Sequence, residues 1–527
     1  MHSPHSQRRH MDEVPEGAVM PKAKVAKPRD STSILITRNG SKGPEVLLAH
    51  RIPTLRAFAD FWALPGGGIR GHDTEAAASI KGLEQIEDDW PAVYAAILRE
   101  TAEEVGLAID DGKIERVPMA LRHAIIEDSN AWIEAVENGV IPASPRGITH
   151  IGTRTTPPFA PLRFKNRFMH VHLNDGAPDP ELLDIGSEFD ELLWMHPADA
   201  VKVWKSGNML TAPPIVTLLR DVAHALEVND DDIHAAMASM ASEPKSGEHR
   251  IELAPKIECV PLRTATLPPA THTNCFILGE QGGDRLIIDP AARTPEELAY
   301  LQRRIHGIEE DGGNIIATIF THRHQDHIGD LSKIAEMYTA PIWATLETLL
   351  ALPDSKENRV LEEGDIISLN GPSGVMEWTV YVTPGHCPGH ICLASDRYLV
   401  SGDLAVMVGT ILIPSSDGDM DAYIDSLERM RALNSEILFP AHGPFTHRPE
   451  ELLNRYIKHR SGRHERVLEA VASGLCSIEE IANHAYSDTP DAHPMLKVDQ
   501  TLSHLSSHVA AGRIRRENGK WVQNLHF

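Results

Sequence analysis

A multidomain chain of the α/β class is what this sequence predicts, and three observations predict it. The first is length: 527 residues are more than one hydrophobic core organises, and typical domain sizes divide them into three or four parts. The second is alternation. Short apolar runs bounded by Gly, Pro or Asn recur between longer amphipathic stretches, the pattern of strands interleaved with helices. The third is segregation: ligand-type residues collect in two places, a glutamate cluster near residue 100 and a His/Asp cluster between 322 and 442.

The elements follow in chain order. Residues 1–30 are polar and Pro-containing and predict a disordered tail with no apolar core of a secretory signal. A first domain is expected over 31–227. It opens with STSILITRNG and PEVLLAHR, a strand pair turning at Asn39-Gly40 and Gly43. LPGGGIRG is a Gly-rich turn, YAAILRETAEEVGL a helix, and RFMHVHL and ELLWM further strands. HPADAVKVWKSG and PPIVTLLRDVAHALEV are helices with proline at their starts. Residues 228–250 are polar and unpatterned and predict a linker.

A second domain is expected over 251–447. Strands NCFILG, DRLIIDP, NIIATIFTH, WTVYVTPGH, YLVSGD and EILFPAHG alternate there with helices TPEELAYLQRRI, GDLSKIAEMY and MDAYIDSLERMRAL. Residues 448–527 read as a long linking helix, two short helices and a terminal hairpin, the parts of a small winged helix.

Composition narrows the function classes. A net charge of −25 repels polyanions unless a local patch reverses it, and near the C-terminus only Arg513, Arg515, Arg516 and Lys520 make a basic spot. No apolar run approaches the roughly 20 residues that span a bilayer. The five cysteines, Cys259, Cys275, Cys387, Cys392 and Cys476, form no C-x-x-C pair, which predicts a reducing, cytoplasmic setting.

The stretch IIATIFTHRHQDHIGDL runs an apolar strand into a turn and presents His322, His324, Asp326 and His327 within six residues. Side chains on a strand alternate, so His322 and His324 share a side. His386, Asp403 and His442 each end an apolar run inside a Gly-containing loop, where ligands converge on one sheet edge. Imidazoles with carboxylates suit Zn²⁺, and also Fe or Mn. The H-x-H-x-D-H motif THRHQDH, followed by VTPGH, LVSGD and FPAHG, resembles the metallo-β-lactamase superfamily, which implies an αββα sandwich. By that resemblance His322, His324 and His386 bind one metal, Asp326, His327 and His442 a second, and Asp403 bridges them with a hydroxide. Asp326 is also the catalytic candidate, and His390 is an outer or substrate-facing group, or else a structural turn residue. TLPPATHTNCFILG, PGHCPGH and YIKHRSGRHERVL, with the C-terminal winged helix, look like the lactamase-like endoribonuclease branch.

In ILRETAEEVGL the residues Glu100, Glu103 and Glu104 stand at i, i+3 and i+4 on one helix face. Such crowding calls for a cation, and Mg²⁺ or Mn²⁺ favours these hard oxygens. Arg99 can pair with a carboxylate, and the Gly66-Gly67 loop can approach a phosphate. The combination is similar to the Nudix box, which implies an α/β/α sandwich, catalytic Glu103 and Glu104, and substrate contacts at Gly66, Gly67 and Arg99. Asp73 stands where the box has its first Glu, and about 18 extra residues precede Arg99. EVLLAHRIPTLRAFADFWALPGG and EFDELLWMHPADAV look like the large-insert, coenzyme A diphosphatase-like group, with Glu188 or Glu191 as an extra acidic ligand.

The expectation is a bifunctional metallo-hydrolase with two Zn (or Fe/Mn) in one domain and Mg or Mn in the other. Its partners are small molecules, nucleotide or coenzyme A derivatives, without a membrane. A single-stranded RNA endoribonuclease with a non-catalytic Nudix-like module, and a nucleotide-sensing DNA-binding protein, are the alternatives. The winged helix is open to a homodimer or lid role.

Overall fold

The structure, a computed structural model, describes residues 15, 18, 20–55, 58–247, 249–353 and 358–524. Two compact units emerge: Ala26–Pro157 with Leu162–Pro255, and Lys256–Phe527, with which the short segment Pro158–Pro161 groups.

The first unit is built on a mixed sheet. Arg29–Gly40 runs parallel to Phe164–Leu173 over ten residue pairs and antiparallel to Gly43–Arg51, closing on Gly40 opposite Gly43. Phe189–Met195 extends the sheet beyond Gly43–Arg51, and Gly66–Gly68 pairs with residues 31–33. Alternation sends Ile34, Ile36 and Leu47 to one face, against helix Trp90–Val105. Leu35, Val46 and Leu48 go to the other face, against helix Pro213–Val228, whose Leu218, Leu219, Val222 and Leu226 are buried. The layers are thus α/β/α. Each such aliphatic side chain contributes roughly 1.5–3 kcal/mol of gross burial.

Two expected boundaries are corrected. Most of the predicted tail lies outside the described residues, and its last two residues, Arg29 and Asp30, already belong to the first strand. The predicted linker at 228–250 contains the helix Ile233–Ser242. Asp232 caps it by accepting from the amides of His234 and Ala235, and Ile233, Ala236 and Met237 bury a narrow stripe in the core. That stripe is too short to rise above the polar residues around it in the sequence.

The second unit layers two sheets between helices. In one sheet the strands from Ile257–Arg263 to Arg359–Val360 follow chain order; in the other, those from Ile366–Gly371 to Ile437–Pro440 do. Phe276 and Phe439 meet between the sheets, with ring centroids 6.0 Å apart. Helix Pro295–Glu310 covers the outside of the first sheet through Leu301, Ile305 and Ile308. Met420–Arg431 and Pro449–Ala472 cover the second through Tyr423, Leu427, Leu452, Leu453 and Tyr456.

Residue 448 is therefore not a domain boundary: helix Pro449–Ala472 finishes the outer layer before it reaches the C-terminal elements. Those are helices Ile478–Ala485 and Pro494–Ala510 and the paired strands Ile514–Glu517 and Lys520–Gln523. Asn518 and Gly519, at φ 48° and 81°, make the two-residue turn that such a hairpin favours. Val467, Val471, Ile481, Leu505 and Ile514 form its core.

Candidate metal centre and acidic site

The metal centre sits where strand Asn314–Ile319 stops. Phe320 and Thr321 are still buried, so the chain delivers His322, His324 and His327 into the interior, each at most 1% exposed. The orientation of each ring follows from its outward nitrogen. His386 Nδ1 donates to the Leu412 carbonyl at 2.7 Å, and His442 Nδ1 donates to the His272 carbonyl at 2.9 Å. His327 Nδ1 donates to Asp289 Oδ2 at 2.9 Å. The Thr321 hydroxyl donates to the same oxygen at 2.6 Å, so it accepts from His322 Nδ1 at 3.0 Å. With the outward N–H groups committed, the Nε2 lone pairs of these four rings face inward.

His324 is turned the other way: its Nδ1 lies 3.1 Å from His322 Nε2 and 2.9 Å from His386 Nε2. Its Nε2 faces Asp417 Oδ2 at 4.0 Å. Lone pairs this close repel unless a proton or a cation lies among them. Asp403 adds its carboxylate 3.6 Å from His327, 3.7 Å from His386 and 3.3 Å from His442. Asp326 lies 3.4 Å from His442 and 3.8 Å from His327. Asp326 Oδ2, His327 Nε2 and Asp403 Oδ1 are buried with no hydrogen-bond partner.

Donor atoms within 4.8 Å of one another fall into three overlapping groups: His322, His324, His386 and Cys387; His322, His327 and Asp403; Asp326, His327 and His442. The chemistry of the donor set fits divalent cations.

The electrostatics favour positive charge at the rings that face Asp403 and Asp326. Burial lowers His322, and the neighbouring His327, His324 and His386 lower it further. Burial also opposes charge on His442, but Asp403 and Asp326 outweigh it and push its pKa up to about 10. His327 is likewise held well above its ordinary value by Asp403, Asp326 and Asp289, and Asp403 well below its own by His442 and His327.

His390 is corrected from a substrate-facing role. It is fully buried, its Nδ1 donates to Thr383 Oγ1 at 2.8 Å, and its Nε2 accepts from the Asp403 amide at 3.0 Å. Burial lowers its pKa to about 3, so it stays neutral and fixes the Asp403 backbone. Gly402, at φ 50°, is required there, because a Cβ would stand 2.7 Å from His390 Nε2.

Sequence reasoning missed Asp289, Cys387, Asp417 and the carbonyls of Leu412 and His272. Asp289 had a usable signal: an Asp-Pro at the end of the apolar strand DRLII. The carbonyls had none.

In the first unit Arg99 is the centre of the acidic site. It is 1% exposed and reaches Asp73 at 2.7 Å, Glu100 at 2.9 Å and Glu103 at 3.2 Å. The expected substrate contact by Arg99 is therefore corrected: its guanidinium is buried and shared among three carboxylates. Asp73 pairs with Arg99 in spite of the extra residues, which follow helix Gly71–Ala77 as turns and bury Ile80 and Leu83 in the core. The Gly66 amide donates to Glu104 at 2.7 Å, so it too is taken. A Cβ on Gly67 would lie 2.3 Å from Glu100 Oε1.

Burial raises Glu100 to about 7, with Arg99 pulling against it and Glu103 adding to it. Burial and then Glu100 raise Glu104 well above the carboxylate range. The three glutamates share a helix face but are not among the donor groups that converge within 4.8 Å among the described residues. Glu188 and Glu191 are exposed; Glu188 pairs with Arg51 at 3.3 Å and adds to the negative field at Glu104. No helix of the described residues is long and apolar enough to cross a membrane.

Residues 268–442 match the model of the metallo-beta-lactamase superfamily, so the C-terminal part of the chain carries a domain of that superfamily. A Caenorhabditis elegans protein described as beta-lactamase-like protein 2 homolog is 24% identical over 47% of this chain and 84% of its own length. A hydroxyacylglutathione hydrolase of Klebsiella pneumoniae is 28% identical over 33% of this chain, which spans 62% of that relative's length. For the N-terminal part, a solved NUDIX hydrolase from Alicyclobacillus acidocaldarius is similar, at 26% identity and a TM-score of 0.36, over 43% of this chain and 100% of that one.

Proposed function

We propose that this chain is a bifunctional metal-dependent hydrolase. The second unit hydrolyses an ester, thioester or phosphodiester at a dinuclear centre, and the first cleaves a nucleoside diphosphate-linked phosphoanhydride with Mg²⁺ or Mn²⁺. The observation that carries the reading is the inward turn of the imidazole lone pairs onto one another, 2.9 and 3.1 Å apart, with the outward N–H groups of His322, His327, His386 and His442 committed elsewhere. Bound divalent cations supply Lewis-acid polarisation and an activated water.

The chain's own residues do the rest. His322, His324 and His386 would hold one cation and Asp326, His327 and His442 a second, with Asp403 placed 3.3–3.7 Å from rings of both sets. Asp326 is the proton carrier, because its side chain is 10% exposed while His442, Asp403 and His327 are 0–5% exposed. In the first unit, Arg99 holds Glu100 and Glu103 in place while Glu104 rests on the Gly66 amide.

Similarity to a hydroxyacylglutathione hydrolase supports a thioester substrate for the second unit. A second reading, single-stranded RNA cleavage with a non-catalytic N-terminal unit and a winged helix at the C-terminus, draws on one observation. A groove along helix Pro449–Ala472 is lined by Arg455, Lys458, Arg463 and Arg466 against Glu451 and Asp488.

The test is one panel on the full-length protein: coenzyme A esters, nucleoside diphosphate conjugates, S-acylglutathione and single-stranded RNA, each with His324→Ala and Glu103→Gln. Two activities, each removed by one variant, support the proposal. RNA cleavage lost only with His324→Ala supports the second reading, and no turnover sensitive to His324→Ala sinks both.

A further inference from the structure

We infer that the C-terminal helices are a working part of the metal centre: Asp499 and Gln500, on helix Pro494–Ala510, position His386 and His324 through the loop 410–417. The inference rests on the dinuclear reading and extends it to residues some 80 positions further along the chain.

The loop holds two contacts to the histidines. The Leu412 carbonyl accepts from His386 Nδ1 at 2.7 Å, which selects the tautomer and rotation that turn Nε2 inward. Asp417 pairs with Arg323, and its second oxygen, buried and without a hydrogen-bond partner, faces His324 Nε2 at 4.0 Å. A carboxylate on that side favours the Nε2–H tautomer of His324 and so leaves Nδ1 free for a cation.

Residues 411–414 belong to no helix or strand, yet Ile411, Leu412 and Ile413 are buried. Their backbone groups need partners from elsewhere. The Gln500 amide meets both groups of one residue: its oxygen accepts from Ile413 N at 3.2 Å and its nitrogen donates to Ile413 O at 2.7 Å. Asp499 accepts from the Ser415 hydroxyl at 2.5 Å and from the Ser415 amide at 3.3 Å. Arg460 donates to Thr410 Oγ1 at 2.9 Å, to the Ile411 carbonyl and to Gln500 at 3.2 Å.

Arg460, Asp499 and Gln500 are 2%, 9% and 6% exposed, so water does not replace them readily. The loop is gripped on either side of Leu412, and the position of that carbonyl sets the His386 ring. Asp499 and Gln500 are positioning residues: they touch the loop, not the site.

The experiment titrates metal-free full-length protein with Co²⁺, following visible absorption and competition with a chelator. Gln500→Ala and Asp499→Ala are each expected to weaken one of two bound ions about 10–100-fold and to alter its cobalt spectrum, with the other ion unchanged. Ser415→Ala, which removes one bond from the loop's side, is expected to weaken the same ion to a smaller degree. Glu465→Ala, exposed on helix Pro449–Ala472, is expected to change neither. Thermal melting of the metal-free forms identifies any variant that fails to fold, and Ser415→Ala then carries the comparison. Two ions bound by the wild type, and bound with the same affinity and spectrum by folded variants, overturn the inference alone. A wild type whose binding is indifferent to His324→Ala overturns the dinuclear reading and this inference with it.

Discussion

Asp289→Asn is the sharpest perturbation of the metal centre, because it changes one atom and leaves volume nearly constant. In the native protein Asp289 Oδ1 accepts from the Thr321 amide at 2.8 Å, and Oδ2 accepts from the Thr321 hydroxyl at 2.6 Å and His327 Nδ1 at 2.9 Å. All these partners are buried, with His327 0% exposed. An asparagine must keep its oxygen toward the Thr321 amide, since that N–H has nothing else to offer. Its NH₂ then points at His327 Nδ1 and donates, which drives the ring proton to Nε2, the atom that faces Asp326, Asp403 and His442. An Nε2 that carries a proton has no lone pair for a cation.

Removal of a partner of this kind lowers metal affinity about 10–100-fold, or roughly 1.4–2.7 kcal/mol, at the Asp326/His327/His442 position. The His322/His324/His386 position is expected to weaken as well, to a smaller degree, because the Thr321 hydroxyl that accepts from His322 donates to the same Asp289 oxygen, whereas His386 is held by the Leu412 carbonyl. Chelator competition with native mass spectrometry on the full-length protein measures both. A variant that holds two ions with wild-type affinity would refute the tautomer argument.

Two further predictions concern the first unit. Arg99→Ala leaves Asp73, which is fully buried, and Glu100 without their cation; the expected loss is about 3–5 kcal/mol of stability, read by denaturant melts, and a loss below about 1 kcal/mol contradicts the clamp. His170 is pushed down to about 3 by burial, with His172 and His234 adding to the shift, and it bonds Thr37 Oγ1 at 2.8 Å. The unfolded chain therefore takes up a proton near pH 6.5 that the folded chain refuses, so its contribution is present above pH 6.5 and lost as pH falls toward 3. At pH 4.5 the loss is on the order of 2–3 kcal/mol; His170→Gln should remove that part of the pH dependence, and an unchanged slope would count against it.

Much of both sites was legible in the sequence, for a physical reason. A strand entering a turn presents neighbouring residues to one space, so THRHQDH announces convergent donors by spacing alone, while the helical RETAEEVG announces only that its carboxylates share a face. Strand–helix alternation likewise determined the layered architecture of both units. The sequence could not supply partnerships between distant backbone and side-chain atoms. Asp289 reaches His327 across 38 residues, the Leu412 carbonyl reaches His386 across 26, and Gln500 reaches Ile413 across 87.

The same limit hid part of the role of Arg99. Its pairing with a neighbouring carboxylate was legible in RETAEEVG, but only folding brought Asp73 to it across 26 residues and so closed its guanidinium to a substrate. For His390 the sequence left an outer, a structural and a substrate-facing role open, and the Asp403 amide at its ring nitrogen decides against the last. A carbonyl carries no residue-type signature, and a buried polar group is satisfied by whatever the packing brings near. Residue chemistry and spacing therefore determined which side chains are donors, and only tertiary structure decided which nitrogen of each ring faces the centre.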